Sequence, residues 1–142
     1  GGMILLPPDL RALLRANDEA RRVAALVETR EPDPAPVVKF FNPLGAATWL
    51  ASELYEDGDT LFGLADLGFG CPELGVFSLH EIASVRLPFG LGIERDLTFA
   101  SDTPLSVWAD AARAAGSISQ AETQLCRLAA HPIPHPGDDR DG

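Results

Sequence analysis

Charged side chains interrupt the apolar strands predicted for this sequence, and their types could support chemistry. They are Lys39, Glu53, Asp66, Glu94, Arg95 and Asp96. Carboxylates that converge from several strands can bind a hard divalent cation such as Mg²⁺ or Mn²⁺, and a nearby lysine or arginine can hold a phosphate. One hypothesis is therefore a metal-dependent hydrolase of phosphate esters. The four carboxylates would be its metal ligands, and Lys39 or Arg95 would contact the phosphate.

These charges also have a structural explanation, in which a solvated face of the sheet carries cross-strand ion pairs. Arg95 needs an explanation of its own, because two-residue alternation places it on the inward face with Ile93 and Leu97. We expect it to reach the edge of the sheet or to form a buried structural ion pair with Glu53 or Asp66. The sequence contains no spacing typical of metal-dependent nucleases, so we favour the structural role and assign no catalytic residue.

The formal net charge of −10 is concentrated in the middle of the chain. Residues 40–85 contain seven Asp and Glu residues and no Lys or Arg, whereas residues 1–39 contain six of each sign. A negative field disfavours direct binding to nucleic acid or to an anionic membrane. It favours a non-catalytic accessory module that binds a basic protein, with mimicry of nucleic acid as one version. The candidate partner-binding residues are Glu53, Glu56, Asp57, Asp59 and Asp66.

Weaker candidates lie in loops and among the aromatic residues. Neither His80 nor Cys71 has a sequence neighbour that would make it catalytic. The glycines of residues 63–75 do not form a phosphate-binding motif that opens a helix, so they indicate bulges and turns, and no cofactor is predicted. The loops 68–72 and 88–92 could form an apolar lip for a partner. A small-molecule pocket is a third hypothesis, among Trp49, Tyr55, Phe62 and Phe77.

A helix is predicted near the start of the chain. Pro7, Pro8 and Asp9 open it, and Asn17 with Asp18 permits either one helix or a break between two short ones. Apolar residues at helical spacing predict its buried stripe: Leu10, Leu13, Leu14, Val23, Leu26 and Val27.

An antiparallel sheet of about five strands is predicted next, from period-two alternation and turn residues. The strands are residues 37–41, 48–56, 61–67, 74–77 and 93–99, with a short helix at residues 79–85. The first three strands form a meander. Alternation in the second strand places Ala51 and Glu53 on one face and Leu50, Ser52 and Leu54 on the other.

Two alanine-rich helices complete the predicted fold. The first buries a stripe and stops at Gly116; its stripe is Leu105, Trp108, Ala109 and Ala112. The inner side of the second is Ile118, Ala121, Leu125, Leu128 and Ala129. We predict an α+β fold in which a mainly antiparallel sheet packs against the N-terminal helix and the C-terminal helices. We further predict that residues 3–130 form this single domain, that residues 131–142 form a disordered acidic tail, and that the protein is cytoplasmic.

Five blocks of the sequence, in the same order along the chain, resemble a bacterial protein family. They are residues 37–43, 47–50 with Glu53, 61–64 with 66–68, 72–75 with 78–79, and 93–97. Over roughly residues 5–105, these blocks are similar to the family catalogued as domain of unknown function 2958. Many of its members are carried on plasmids and integrated mobile elements and have no established activity. The resemblance therefore implies a genomic setting rather than a reaction.

Overall fold

The computed structural model describes residues 4–130. They form an α+β fold with a five-stranded antiparallel sheet, as the sequence predicts. The helices are α1 (Pro8–Leu26), α2 (Leu79–Ala83), α3 (Leu105–Ala115) and α4 (Ile118–Ala130), and Pro88–Gly90 forms a single 3-10 turn. The strands are β1 (Val38–Phe41), β2 (Thr48–Leu54), β3 (Thr60–Asp66), β4 (Glu73–Ser78) and β5 (Glu94–Arg95). The predicted tail, residues 131–142, lies outside the described residues.

The strand order is β4-β3-β2-β1-β5, and every neighbouring pair is antiparallel. The predicted meander is confirmed, because β1, β2 and β3 are neighbours in chain order. After α2, the chain returns so that β5 pairs with β1 at Phe40 and Phe41. The two edges of the sheet are therefore β4, with six residues, and β5, with two.

Helices cover both faces of the sheet, and each face has its own apolar core. On the first face, α1 and α2 pack around Phe40 and Leu61. On the second face, α3 and α4 pack around Leu50 and Leu64. Burial of each such side chain contributes about 2 kcal/mol. The stripe predicted for α3 is confirmed, because all four of its residues are buried.

Helix α1 runs without a break through Asn17 and Asp18, so the alternative of two short helices is wrong. The predicted apolar stripe is also partly wrong. Leu14 is fully buried, whereas Leu13 and Val23 are about half exposed, at 54% and 51%. Asp18 is fully buried on the side of α1 that faces the sheet. A charged residue therefore occupies a position where the spacing predicts an apolar contact.

A β-bulge interrupts β2, where the register with β3 shifts between Ala51 and Glu53. An extra residue in one strand breaks the strict alternation of faces. Ala51 and Leu54 consequently belong to the same apolar core, so the prediction that they lie on opposite faces is wrong.

Side chains of α1 bond to the last residues of β2, which have no partner in β1. β1 begins at Val38, opposite Ala51, and does not extend along the last residues of β2. Asn17 Nδ2 donates a hydrogen bond to Ser52 O at 2.9 Å. A guanidinium N–H of Arg15 donates to Leu54 O at 2.7 Å. These bonds satisfy carbonyl groups that would otherwise lack a strand partner.

The last predicted strand, residues 93–99, is reduced to the two residues of β5. The carboxylate of Asp96 accepts the backbone N–H of Thr98 at 3.0 Å and its hydroxyl at 2.9 Å. Such a local side-chain bond offers the backbone an alternative to the strand ladder. The chain therefore turns directly after Arg95.

Candidate functional site

Ionic side chains join α1 to the end of β2, and we call this group the arginine cluster. Three guanidinium groups contact the carboxylate of Asp18: Arg15 at 2.7 Å, Arg21 at 2.9 Å and Arg22 at 2.9 Å. Arg21 also contacts the carboxylate of Glu53 at 2.7 Å. Because a buried carboxylate is stable only when it is paired, these contacts are what allow Asp18 to be buried.

The partners in the arginine cluster keep its members charged. Burial acts to raise the pKa of Asp18, but hydrogen bonds from Arg15 and Arg21 and the charge of Arg22 outweigh it, and the pKa is lowered. The hydrogen bond to Glu53 raises the pKa of Arg21. All of these partners belong to the protein itself, so the cluster fixes the position of α1 on the sheet.

A concave site surrounds Lys39, on the face of the sheet that α4 covers. Two adjoining clefts of about 390 Å³ each meet there, and we call them together the lysine cleft. Lys39 Nζ contacts Glu122 Oε1 at 2.6 Å and Asp96 Oδ2 at 3.6 Å. The first cleft is lined in part by Asp66, Asn42, Thr48 and Ser117, and the second by Glu94, Arg95, Asp96 and Leu97.

Two carboxylates of the lysine cleft, those of Asp66 and Asp96, also have partners within the protein. Asp66 accepts the backbone N–H groups of Gly68 and Ile118, each at 2.9 Å, and so links the end of β3 to the start of α4. Burial acts to raise the pKa of Asp96, but hydrogen bonds from Thr98 and the adjacent lysine lower it. The size of the cleft suits a small ligand, while the charges of Lys39, Asp66 and Asp96 are already paired or hydrogen-bonded.

The four carboxylates predicted to bind a metal lie in two different places. Glu53 belongs to the arginine cluster, whereas Asp66, Glu94 and Asp96 line the lysine cleft. Within residues 4–130, no group of three or more His, Cys, Asp or Glu side chains is placed to hold a metal ion. The predicted convergence is therefore wrong for these residues, because Arg21 binds the carboxylate of Glu53 on the α1 side.

Arg95 lies on the predicted face of β5, since its cross-strand neighbour is the buried Phe40. Its Nε donates to Leu5 O at 3.1 Å. The ion pair predicted with Glu53 or Asp66 is not formed, because those carboxylates bind Arg21 and backbone N–H groups.

Carboxylates gather where the β2–β3 turn meets α2, and we call this region the acidic end. Its members are Glu56, Asp57, Asp59 and Glu81. Asp57 accepts the N–H of Thr60 at 2.8 Å and its hydroxyl at 2.6 Å, and these bonds lower the pKa of Asp57 to about 2. Asp59 accepts the hydroxyl of Ser78 at 2.8 Å and the N–H of His80 at 2.7 Å, which ties the turn to α2.

Only part of the predicted partner-binding set is accessible. Glu56 and Asp57 are exposed, and Asp59 is half-buried. Glu53 and Asp66 are 3% and 2% exposed. The prediction that these two residues form a binding surface is wrong, because the fold encloses both carboxylates.

Three of the four aromatic residues predicted to share a pocket are divided between the two cores. Trp49 and Phe77 pack against the first-face core, and Phe62 packs against the second. The two loops of the predicted apolar lip do expose their rings, since Phe69 is 82% exposed and Phe89 is 91% exposed. Phe89 also has a positive φ of 66°, which is uncommon for a residue other than glycine.

Sequence reasoning missed the members of the arginine cluster that lie on α1. The local pattern indicates Asp18 as a possible break in the helix and does not by itself join it to its arginine neighbours. The signal was present, since Arg15, Arg21 and Arg22 lie three residues before and three and four residues after Asp18. Helical spacing places all of them beside the same carboxylate.

Comparison with known proteins gives one family. The model of the family described as "Protein of unknown function (DUF2958)" matches residues 5–119. No curated protein and no solved structure matches the chain. No helix within residues 4–130 has the length and apolar character needed to cross a membrane.

Proposed function

We propose that this chain, which belongs to the DUF2958 family of proteins of unknown function, is a non-catalytic module that binds a basic partner protein. The acidic end and the neighbouring strand β4 are the surface that we assign to the partner. A place on mobile elements, implied by the family resemblance, is part of the same proposal.

The observation that carries the proposal is the distribution of exposed charge around β4. Glu81 at the acidic end and Glu73 at the start of β4 are both exposed, as is Glu56. The stretch of chain that forms β2, β3, β4 and α2 contributes no Lys or Arg. A surface of one sign attracts a partner of the opposite sign and speeds its association.

Arginines of α1 offset part of this charge. Arg11 donates to Gly58 O at 3.2 Å, and Arg22 lies 3.6 Å from the carboxylate of Glu56. Glu73 lies at the start of β4 and Glu81 lies in α2, and in the part of the chain that the structure describes neither forms an ion pair with these arginines. We therefore expect them to contribute more to binding than the buried carboxylates Glu53 and Asp66.

The test uses the protein as bait in a cell lysate, with two triple charge reversals compared. The first variant is Glu56→Lys, Glu73→Lys and Glu81→Lys. The control makes the same change in charge at exposed carboxylates elsewhere, namely Glu31→Lys, Asp102→Lys and Asp110→Lys. Mass spectrometry identifies the captured proteins at low and high salt.

We expect basic proteins to be captured at low salt, released at high salt because charges are then screened, and lost with the first variant only. Capture that persists at high salt and is equal for both variants would show that the negative surface does not select the partner.

The metal-dependent hydrolase stays a second prediction, limited to Asp66 in the first cleft and to Glu94 and Asp96 in the second, which are not placed as one metal-binding group within residues 4–130. Binding of Mg²⁺ or Mn²⁺ to the folded state would raise its melting temperature. Calorimetric titration with each ion, with Asp66→Asn and Asp96→Asn as comparisons, measures this. Absence of both heat and a thermal shift would contradict the hydrolase.

A further inference from the structure

Within residues 4–130, the outer edge of β4 has no strand partner along its six residues. β4 pairs with β3 on one side, and no other strand within residues 4–130 pairs with its second side. Natural proteins usually protect such an edge with lysine, proline or a bulge. The six residues Glu73–Ser78 contain neither lysine nor proline, and their register with β3 is continuous. The edge therefore has the features of a strand that accepts another strand.

The backbone groups on this open edge can be assigned by alternation. The N–H of Leu79, directly after β4, donates to Asp59 O at 3.0 Å, so it points toward β3. Successive residues of a strand point their backbone groups to opposite sides. Gly75 and Phe77 therefore bond to β3, whereas Leu74 and Val76 direct their N–H and C=O groups outward.

The side chains of the outward-bonding residues are apolar and accessible. Leu74 is 37% exposed and Val76 is 58% exposed. They lie opposite Leu64 and Phe62, on the face that α3 covers. An added strand would extend this face, so apolar side chains at alternate positions of the incoming strand would be buried there.

We propose that β4 binds an extended segment of the basic partner by β-strand addition, so that the segment becomes a sixth strand of the sheet. The proposal rests on the proposed function and adds the mode of binding. Charge favours a basic segment over a second copy of this chain, because each copy carries a net charge of −10 and Glu73 and Glu81 flank the edge. Main-chain hydrogen bonds supply affinity, and lysines or arginines between the apolar residues supply selectivity.

The probe is a synthetic peptide of about eight residues, the length of an ordinary strand, in which lysine and valine alternate. One control peptide has glutamate in place of lysine, and another has proline at its centre. Val76→Pro is the protein variant, because it removes an outward N–H and leaves the bonds between β3 and β4 in place. Its melting temperature is measured alongside that of the wild type.

We expect the lysine peptide to bind the wild type with saturation, and binding to weaken at least tenfold for both control peptides and for Val76→Pro. On the wild type, the peptide should slow hydrogen exchange of the Leu74 and Val76 amides, a measurement that does not depend on any variant. Equal binding to Val76→Pro together with unchanged exchange at these two amides would overturn the proposal.

The outcomes separate the two proposals. If the bait captures basic proteins in a charge-dependent way but Val76→Pro captures them equally well, the strand-addition proposal fails and the proposed function stands. If the lysine and glutamate peptides bind equally at β4, the requirement for a basic partner fails.

Discussion

Strand pairing stops at the end of β2 and along the outer side of β4, and the protein treats these two places differently. At the end of β2, past the point where β1 begins, the carbonyl groups of Ser52 and Leu54 accept hydrogen bonds from Asn17 and Arg15 of α1. Along β4, the outward groups lie at the edge of the sheet, and their side chains are partly exposed. The first edge is closed by the protein's own polar side chains, whereas no strand in the described part of the chain, residues 4–130, pairs with the second.

This difference distinguishes charged residues that are paired within the fold from charged residues that are exposed to a partner. The charged residues beside the closed edge form the arginine cluster, in which Asp18 and Glu53 are buried and paired. The carboxylates beside the open edge, Glu73 and Glu81, are exposed. An acidic composition therefore indicates a binding surface only after the internally paired carboxylates have been set aside.

The largest effect is expected from a pair of glycines that face each other across β3 and β4. A Cβ at Gly63 would lie 2.8 Å from Ala51 Cα and would clash with the carbonyl of Leu50, whereas a Cβ at Gly75 would meet no atom within 4 Å. We expect Gly63→Ala to lower the free energy of unfolding by about 3 kcal/mol or more. Gly75→Ala should change it by less than about 0.5 kcal/mol. Urea unfolding measures both free energies. Similar values would mean that the interior and the edge of the sheet tolerate an added methyl group equally well.

The next largest effect is expected at the closed edge. Asp18→Ala leaves three arginines without their shared carboxylate, so we expect a loss of about 3 kcal/mol in the free energy of unfolding. Glu19→Ala is the control, because this neighbouring carboxylate is 64% exposed and lies 3.4 Å from Arg15. It should cost less than about 0.5 kcal/mol. A small cost for Asp18→Ala would show that the arginine cluster does not hold α1 in place.

The pH dependence of stability should report the same cluster. The pKa of Asp18 is lower in the folded protein than its ordinary value of 3.8, so the unfolded chain binds the proton first as the pH falls. The stability that Asp18 contributes is complete at neutral pH and is lost below about pH 4. Asp18→Asn should therefore flatten the acid limb of stability against pH. An unchanged slope between about pH 4 and pH 2 would contradict the assigned pairing.

A smaller effect is expected from Asn17→Ala, which removes the donor to Ser52 O. The cost should be about 1 kcal/mol, because one buried carbonyl loses its partner. The exposed neighbours Ala16 and Ala20 are alanine in the native sequence and cannot serve as controls. The exposed Glu19→Ala variant is therefore again the comparison. If Asn17→Ala costs no more than Glu19→Ala, water replaces the side chain and the edge is not closed by it.

The sheet and α3 could be predicted from the sequence because local signals and tertiary packing agree there. Alternation in β2 and β3, and the stripe formed by Trp108 and Ala112, describe surfaces that are buried in the structure. The short helix predicted after β4 is also present as α2, where the side chain of Ser78 accepts the backbone N–H of Glu81. Outside the bulge of β2, the apolar residues of these elements face the core that their period indicates.

The arginine cluster could not be predicted because its residues satisfy one another over long separations. Glu53 lies 32 residues from Arg21, and nothing in the local pattern joins them. The bulge near Ser52 breaks the alternation on which the position of Glu53 was predicted. In α1, pairing of Asp18 overrides the apolar stripe, so Leu13 and Val23 remain exposed.

Hydrogen exchange along β4 of the free protein tests the central claim, that this edge is open, most directly. Gly75 and Phe77 direct their N–H groups to β3, so their exchange should be slow. Leu74 and Val76 direct theirs outward, so their exchange should be close to that of an unstructured peptide. An alternating pattern is the predicted result. Slow exchange at all four amides would mean that the edge is already covered, and it would contradict the account.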